Sequence, residues 1–358
     1  MHSQRPSEER EPESESESKR ESGTSSNSSS SSGSESEETY GAESLVEVLE
    51  SLVLCQKGTR QESRLDVIIK RILDGDIKNI ICMCGAGISV AAGIPDFRSP
   101  GTGLYSRLEK YKLSHPEAIF ELEYFRSNPD PFYLLSKELY PGLYTPTKTH
   151  YFIKLLHDKG LLKRCYTQNI DSLEHVAGLP KDAVIAAHGN FDTSYCIDCN
   201  ADHDVEYVKE AIMNQSPCRC VKTTGCTGLV KPGIVFFGEP LPERFWNSIP
   251  KDFEEADLLI VMGSSLVVQP FASLIDKPRE GTPRILINRE IVGETHPDLR
   301  RMGYTKGFDF SDDKDSRDIA LLGDCDDVIV DVCSRLGWSA DLNDLIQSAL
   351  EESTNSVS

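Results

Sequence analysis

The sequence predicts an α/β protein with a Rossmann-like parallel sheet, helices on both faces of that sheet, and a small inserted zinc-ribbon and helical module. Short apolar runs such as residues 80–84 and 256–262 end in glycine or polar residues, as strands buried on both faces do. Helix-forming stretches separate these runs. Cysteines cluster in the middle of the chain, which indicates a second, smaller unit.

The two ends of the chain differ in composition from its middle. Residues 1–43 contain no Leu, Ile, Val or Phe and are rich in Ser and Glu, which predicts a disordered acidic tail. Residues 44–61 carry a few spaced leucines and are interpreted as a linker or short helix, with a nuclear-export signal as the alternative. We expect the main folded domain over 62–340, its insert over about 192–232, and a C-terminal helix and tail over 341–358.

Charge and hydropathy narrow the possible partners. The formal net charge is −20, which argues against nucleic acid as the main ligand. No apolar run reaches the length of a membrane span, so we expect no membrane partner. The sequence also shows no secretory signal at its start, and clustered cysteines then indicate metal binding rather than disulfides.

A glycine-rich loop follows the first apolar run. Gly85 and Gly87 come directly after residues 80–84, and small residues follow them. A strand that ends in two nearby glycines before a helix can bring bare backbone N–H groups to a diphosphate. The alternative is a plain strand-to-helix turn. The charged and aromatic residues Asp96, Phe97 and Arg98 favour the ligand site, since an ordinary core helix has no need of them.

Several further elements can be placed on the chain. Residues 63–74 are predicted to form an amphipathic helix before the first strand, and residues 104–143 to form short helices that cover the glycine loop. Residues 162–166 and 284–287 are predicted strands, and residues 328–330 are the predicted last strand.

Polar residues stand at the ends of these strands, where parallel sheets bind ligands. Asn169 and Asp171 follow residues 162–166, and Asp171 could instead cap a helix. His188 follows the apolar run 183–187 and is a general-base candidate, although its local sequence also suits a structural histidine. Glu290 follows residues 284–287 and could accept hydrogen bonds from ribose hydroxyls.

Five cysteines in the middle of the chain predict a structural zinc site. Cys196 and Cys199 form a C-x-x-C pair, and Cys218, Cys220 and Cys226 follow after about twenty residues. The second half is irregular, so the third ligand is either Cys218 or Cys220, and Cys220 is preferred as the nearer to Cys226. A redox pair is the alternative for the first two cysteines.

Residues 231–239 read as an extended segment. A strand with a free edge can bind a peptide by adding main-chain hydrogen bonds. The alternative is an internal strand that pairs only within the protein.

Together these motifs resemble the sirtuins, which are NAD-dependent protein-lysine deacylases. The match runs in the family's order over about residues 62–340, and the loop 98–105 is similar to the class that contains the cytoplasmic, tubulin-directed deacetylase. The matching segments are residues 85–89, 93–98, 166–171, 188–189, 234–239, 263–266 and 288–290 together with the cysteine ribbon.

The resemblance implies roles for individual residues. His188 would be the general base, with Asn169 the second catalytic residue. Val235, Phe236 and Phe237 would contact the acetyl-lysine substrate. A structural zinc ion would be held by Cys196, Cys199, Cys220 and Cys226. NAD would be bound by Ala86, Gly87, Ile88, Ser89, Val90, Asp96, Phe97, Arg98, Gln168, Asn169, Ile170, Asp171, Ser264, Ser265, Asn288, Arg289, Glu290 and Cys325.

The resemblance also implies the reaction. The acetyl-lysine oxygen would attack the ribose carbon that bears nicotinamide, and His188 would then take a proton from a ribose hydroxyl. The products would be free lysine, nicotinamide and O-acetyl-ADP-ribose. Partners would be acetylated proteins such as histones or tubulin, and the location cytoplasmic with shuttling to the nucleus. The alternatives are mono-ADP-ribosyl transfer, long-chain deacylation, or a weakly active NAD-sensing interaction protein.

Three residues depart from the family pattern. Gly233 stands where the family usually has Asp, which could loosen the substrate segment and weaken peptide binding. Asn190 replaces the usual Ser or Thr after His-Gly. Thr223 stands where the third zinc ligand is expected.

Overall fold

The computed structural model describes residues 61–95, 113–311 and 316–355. These ranges all belong to the compact unit Val53–Ser358. The acidic tail, nearly all of the leucine-containing linker, and the predicted loop 98–105 lie outside the described residues.

The central element is a parallel sheet with six strands. Its strands are Ile80–Cys84 (β1), Leu162–Thr167 (β2), Val184–Ala186 (β3), Leu258–Met262 (β6), Arg284–Asn288 (β7) and Asp318–Leu322 (β8). Their spatial order is β3-β2-β1-β6-β7-β8. Because the chain reverses direction across the sheet between β1 and β6, the carboxyl ends of these two strands border a crevice of the kind that holds ligands in doubly wound folds.

Helices cover both faces of the sheet. The α-helices lie at 61–73 (α1), Leu122–Ser127 (α2), Asp130–Glu138 (α3), Lys148–Asp158 (α4), Leu173–Val176 (α5), Val205–Met213 (α6), Glu243–Glu255 (α7), Pro297–Arg301 (α8), Cys325–Leu336 (α9) and Ser339–Asn355 (α10). Short 3-10 helices lie at Ala86–Ala92, Pro116–Phe120 and Phe271–Asp276. This arrangement confirms the predicted fold class.

The apolar patterns explain why these elements pack as they do. All five residues of β1 and all five of β6 are buried, since helices lie above and below them. Helix α1 buries Leu65, Ile68 and Ile72, which recur at helical spacing on one face. Helix α7 covers the opposite face of the sheet with Phe245 and Phe253.

A smaller module is inserted between β3 and β6. Its strands Gly189–Cys196 (β4) and Val230–Ile234 (β5) pair antiparallel, and α6 lies between them in the chain. The short helices α2 and α3 supply Phe125 and Phe132 to the same core, where their rings pack edge-to-face at 5.4 Å. The predicted short helices after the glycine loop therefore include part of this module's core.

The prediction of a last strand at residues 328–330 was wrong. These residues lie inside α9, and the last strand is β8, which ends three residues before that helix begins. Cys325, Ile329 and Val332 are buried along α9 at helical spacing. Tertiary packing of this helical stripe overrides the preference of three β-branched residues for a strand.

Among the helices of the described ranges, none combines the length and apolar character that crossing a membrane requires.

Candidate active site

A cavity of about 720 Å³ lies at the carboxyl ends of the sheet strands. It extends from His188 and the segment after β5 to the end of β7 and the start of α9. Most of the residues predicted to bind NAD or substrate line it, and they come from seven separate stretches of the chain. These residues are Ala86, Gly87, Ile88, Val90, Gln168, Asn169, Ile170, His188, Val235, Phe236, Phe237, Ser264, Ser265, Asn288, Arg289, Glu290 and Cys325.

The glycine loop forms one wall of the cavity, and its glycines are required by contact with the loop after β6. A Cβ atom on Gly87 would lie 2.6 Å from the Gly263 Cα, and one on Gly85 would lie 2.7 Å from the Gly263 carbonyl oxygen. Only glycine permits two backbones to approach this closely. The two loops can therefore lie side by side at the cavity wall.

The bare N–H groups expected at this turn are not those of Gly85 and Gly87. The Gly85 N–H donates to the Met262 carbonyl at 3.0 Å, and the Gly87 N–H donates to the Gly263 carbonyl at 2.8 Å. The segment after Gly85 is moreover a 3-10 helix. These two donors are used within the protein, where they connect the end of β1 to the end of β6. They are therefore not available to bind a ligand.

Amides after β2 connect the walls of the cavity. The Asn169 side-chain amide donates to the Gly85 carbonyl at 3.2 Å, and the Ser264 hydroxyl donates to the Gln168 Oε1 at 2.8 Å. Asn169 is buried, and its position is fixed by its own backbone N–H, which donates to the Thr167 hydroxyl. The ends of β1, β2 and β6 are thus held together by side-chain hydrogen bonds at the cavity.

Ser89 and Asp171, which were predicted to contact NAD, do not line the cavity. The Ser89 hydroxyl donates to the Asp171 carboxylate at 2.7 Å, and both side chains are buried behind the cavity wall. Asp171 also accepts from the Leu173 N–H at 2.9 Å, where α5 begins. The structure therefore gives Asp171 the capping contact that the sequence left open.

Two more titratable side chains are buried behind that wall. Polar atoms of His150, Asp171 and Glu174 lie within 4.8 Å of one another. Burial, followed by the charge of Asp171, raises the pKa of Glu174, whereas burial lowers the pKa of His150 to about 4. The Glu174 Oε1 has no hydrogen-bond partner among the described residues. At neutral pH His150 is neutral, and Glu174 is held toward its protonated form.

His188 lies at the junction of β3 and β4, at the opposite end of the cavity from α9. Its Nδ1 lies 3.1 Å from the Gln168 carbonyl oxygen, and a carbonyl can only accept, so Nδ1 carries the proton. The Nε2 atom then has a free lone pair. Burial lowers the pKa of His188 below its usual range, so the neutral form predominates at neutral pH.

The far end of the cavity is formed by the end of β7 and the start of α9. The Asn288 side-chain amide donates to the Glu290 carbonyl at 3.0 Å, which fixes the turn after the strand. Arg289 forms an ion pair with Asp324. Cys325 is buried against the Ile287 carbonyl, at 3.8 Å from its Sγ.

The three predicted substrate residues after β5, Val235, Phe236 and Phe237, differ in how far they are exposed to the cavity. The Val235 N–H donates to the His188 carbonyl, and the Phe237 N–H donates to the Phe120 carbonyl, both at 2.8 Å. Phe237 is 47 % exposed, whereas Phe236 is 1 % exposed and packs among the aromatic rings of the module. Phe236 therefore contributes to the wall of the cavity but is almost fully covered by its neighbours.

Four cysteines meet in the module. The Sγ atoms of Cys196 and Cys226 are 3.7 Å apart, and those of Cys199 and Cys220 are 3.6 Å apart. Thiolates at ~2.3 Å from a tetrahedral zinc ion lie about 3.8 Å from one another, so this cluster is compatible with a structural zinc ion. Separations of this size exclude disulfide bonds.

The irregular half of the ribbon is explained by its geometry. Cys220 is in the cluster, whereas Cys218 lies in the module core with its Sγ 3.3 Å from the Tyr133 hydroxyl. The Thr223 hydroxyl oxygen lies 3.3 Å from the Cys199 Sγ, where it can donate to a thiolate. Thr223 thus stands beside the cluster rather than in it.

The described residues omit one predicted part of the site and add several others. Asp96, Phe97 and Arg98 lie outside the described ranges. Cavity-lining residues that sequence reasoning missed include Phe120, Lys148, Glu239, Gln269, Asp324 and Asp326. Asp326 accepts from the Thr149 N–H and hydroxyl at the start of α4, a contact between residues far apart in sequence that no local pattern signals.

Comparison with known proteins gives a consistent family. Residues 85–270 match the model of the Sir2 family. The chain is 50% identical over 288 residues to the NAD-dependent protein deacetylase sirtuin-2 of Danio rerio, which covers 80% of this chain and 75% of that protein. It is 46% identical over 302 residues to the NAD-dependent protein deacetylase hst2 of Schizosaccharomyces pombe, covering 84% and 85% of the two chains. With the NAD-dependent deacetylase sir2A of Dictyostelium discoideum it shares 52% identity over 284 residues, which are 79% of this chain and 54% of that one.

Proposed function

This chain belongs to the Sir2 family, and from that premise we propose that it removes acetyl groups from protein lysines in an NAD-dependent reaction. The observation that carries the proposal is the single cavity that joins His188 to the turn after β7. In this one continuous space, a proton acceptor lies together with residues that can hold an adenosine. Relatives that cover most of this chain are named NAD-dependent protein deacetylases.

The residues of the cavity fit NAD. Asn288, Glu290 and Cys325 would hold the adenosine, and Ser264 and Ser265 would bind ribose or phosphate oxygens. Gln168, Asn169 and Ile170 would line the nicotinamide end. NAD supplies a glycosidic bond from which nicotinamide can leave, so the chain itself has to bind, orient and exclude water.

His188 is proposed as the general base. Because the Gln168 carbonyl accepts the proton of Nδ1, the Nε2 atom can accept a proton from a hydroxyl in the cavity. The lowered pKa keeps Nε2 unprotonated at neutral pH, and we expect activity to fall only below the usual histidine range as acid protonates it. The contact with Phe271, whose ring centroid lies 6.4 Å away, limits tilting of the imidazole ring.

We propose an extended peptide as the substrate. Residues 235–237 continue from β5 along the cavity, and the exposed Phe237 can contact a bound peptide. Acetylated histones and tubulin are proposed as protein substrates, and the cytoplasm, with shuttling to the nucleus, as the location. These finer proposals depend on the likeness to the cytoplasmic branch of the family.

The zinc ion has a structural part in this proposal. Cys196, Cys199, Cys220 and Cys226 would hold it, and four thiolates complete a tetrahedral shell. A closed shell of this type contributes folding energy to the module.

Mass spectrometry of an acetyl-peptide reaction tests the proposed function. With NAD present, we expect deacetylated peptide, nicotinamide and O-acetyl-ADP-ribose in equal amounts, and without NAD no deacetylation. His188→Ala should reduce turnover by about 100-fold or more while still binding NAD. Deacetylation that needs no NAD would overturn the proposed function, and near-normal turnover by His188→Ala would remove that residue from the mechanism.

A further inference from the structure

One lysine is fully buried beside the cavity. Lys231 lies on β5 and has 0 % of its surface exposed. Lysine is almost never buried to this extent unless its ammonium group is paired, because removing the charge from water is costly. The burial lowers the pKa of Lys231 to about 8. A position this unfavourable for lysine requires specific partners.

The partners of Lys231 lie at both ends of residues 234–239 and on the neighbouring strand β4. Its Nζ lies 3.0 Å from the Glu239 carboxylate and donates to the Tyr195 hydroxyl at 2.7 Å. It also donates to the Ile234 carbonyl at 2.5 Å. The Phe236 ring lies beneath the ammonium group, with its centroid 4.3 Å from Nζ.

Glu239 completes this network of contacts around residues 234–239. Its carboxylate accepts from the Phe236 N–H at 2.7 Å and from the Tyr195 hydroxyl at 3.1 Å. Residues 234–239 are therefore tied at both ends to the same ammonium group. Phe236 and Glu239 line the cavity, so the shape of its wall depends on these bonds.

The same contacts reach the cysteine cluster. Tyr195 directly precedes Cys196 on β4, and it pairs with Lys231 in the β4–β5 ladder. The position of the Tyr195 hydroxyl is thus set by the strand that carries one of the clustered cysteines. The hydrogen-bond partner of Lys231 is therefore one residue away from a clustered cysteine on the same strand.

We propose that Lys231 is a positioning residue, which holds residues 234–239 in the shape that receives the acylated peptide and links that shape to the cysteine cluster through Tyr195. The part of this inference that concerns the peptide rests on the proposed function. Lys231 does not line the cavity, so it acts through Phe236 and Glu239 rather than by touching substrate.

Lys231→Met is the test, because methionine keeps most of the apolar stem and removes the charge and the hydrogen bonds. We expect the KM for an acetyl-peptide to rise by about tenfold or more, since hydrogen bonds to a charged group are lost. The Kd for NAD and the zinc content should stay within about twofold of the wild-type values. Lys222→Met, at an exposed lysine of the same module, is the matched control and should change none of these.

Hydrogen exchange tests the same proposal without a measurement of enzyme activity. In Lys231→Met the backbone amides of residues 235–237 should exchange faster, while those of β1 and β6 keep their wild-type protection. If wild-type protein shows no NAD-dependent deacetylation but the variant shows this faster exchange, the positioning role stands and the proposed function fails. Wild-type exchange at residues 235–237 in the variant would overturn the positioning role.

A double-mutant cycle tests the link to Glu239. Lys231→Met and Glu239→Gln should together raise the peptide KM by less than the product of their separate effects, since both break the same contact. Tyr195→Phe removes a single hydroxyl and should give a smaller rise in KM, which keeps the test available if Lys231→Met does not fold. Multiplicative effects in the cycle, or an unchanged KM in Tyr195→Phe, would contradict the proposal.

Discussion

The sheet domain and the inserted module are stabilised in different ways. The six-stranded sheet is buried between two apolar layers, so that every residue of β1 and β6 is buried. Within the described residues the module has two strands, β4 and β5, and it carries four clustered thiols and the buried ammonium group of Lys231 beside its aromatic rings.

The sheet domain and the module derive their stability from different sources. A large parallel sheet buries enough apolar surface to be stable from hydrophobic burial. A two-stranded sheet is marginal by itself and needs metal or polar contacts to fix it. We therefore expect the module to respond to metal removal and the sheet domain to respond to cavities in its core.

Loss of a zinc ligand should have the largest effect. Cys226→Ser should lose the metal and the ordered structure of the module, because a structural zinc site contributes on the order of 10 kcal/mol in small zinc domains. Metal analysis and hydrogen exchange across β4 and β5 would measure both losses. Cys218→Ser is the matched control and should retain zinc, because Cys218 is not in the cluster. A full zinc content in folded Cys226→Ser would refute the ligand assignment.

A cavity in the sheet should have the next largest effect and spare the metal. Leu258→Ala removes a side chain that is fully buried in the sheet core and should lower the free energy of unfolding by about 2–5 kcal/mol. Leu73→Ala makes the same change at a 56 % exposed position of α1 and should cost much less. Denaturant unfolding gives both values, and zinc content should be normal in each. Zinc loss in Leu258→Ala would show that the two regions are not separable.

Glu174 should give the sheet domain a pH dependence. Its folded-state pKa is raised above the ordinary value of 4.5, so the folded state holds the proton more tightly than the unfolded chain does. The stabilising contribution is complete below pH 4.5 and is lost as the pH rises through the folded-state pKa. Glu174→Gln should remove this dependence of the free energy of unfolding on pH. The total change in that free energy between low and high pH should shrink by about 1.4 kcal/mol for each unit by which the pKa is raised. An unchanged slope would mean that Glu174 is not protonated in the fold.

The smallest predicted effect concerns a close contact between β4 and β5. A Cβ atom at Gly233 would lie 2.1 Å from the Thr193 Oγ1, so Gly233→Ala forces that hydroxyl to rotate away. We expect a loss of about 1 kcal/mol in the free energy of unfolding, because the atom that must move is the end of a side chain. Adding Thr193→Ala should restore most of the loss. A Gly233→Ala variant with unchanged thermal stability would show that the contact relaxes freely.

Much of the fold and the site followed from local patterns. Strands β1, β6 and β7 were predicted from apolar runs and β2 from the segment 162–166, and the cavity lies at the strand ends where Gln168, Asn169 and Glu290 were expected to be. These features are readable because a buried strand and a polar strand end are each encoded within a few neighbouring residues.

Other features could not be read from neighbouring residues. Residues 328–330 have strand-forming side chains but lie in α9, and the N–H groups of Gly85 and Gly87 are taken up by β6 and the loop after it. Asp171 turned away from the cavity toward Ser89. In each case the deciding partner lies dozens of residues away.

The sequence by itself determined the parallel sheet, the family, and the set of cysteines from which the zinc ligands are drawn. Tertiary structure decided that Cys220 rather than Cys218 joins the cluster, and that Lys231 is buried against Glu239 and Tyr195. The physical reason is that hydrophobic periodicity is a local property of the chain. Hydrogen bonds, ion pairs and metal shells depend on distances of a few ångströms between segments that only the complete fold brings together.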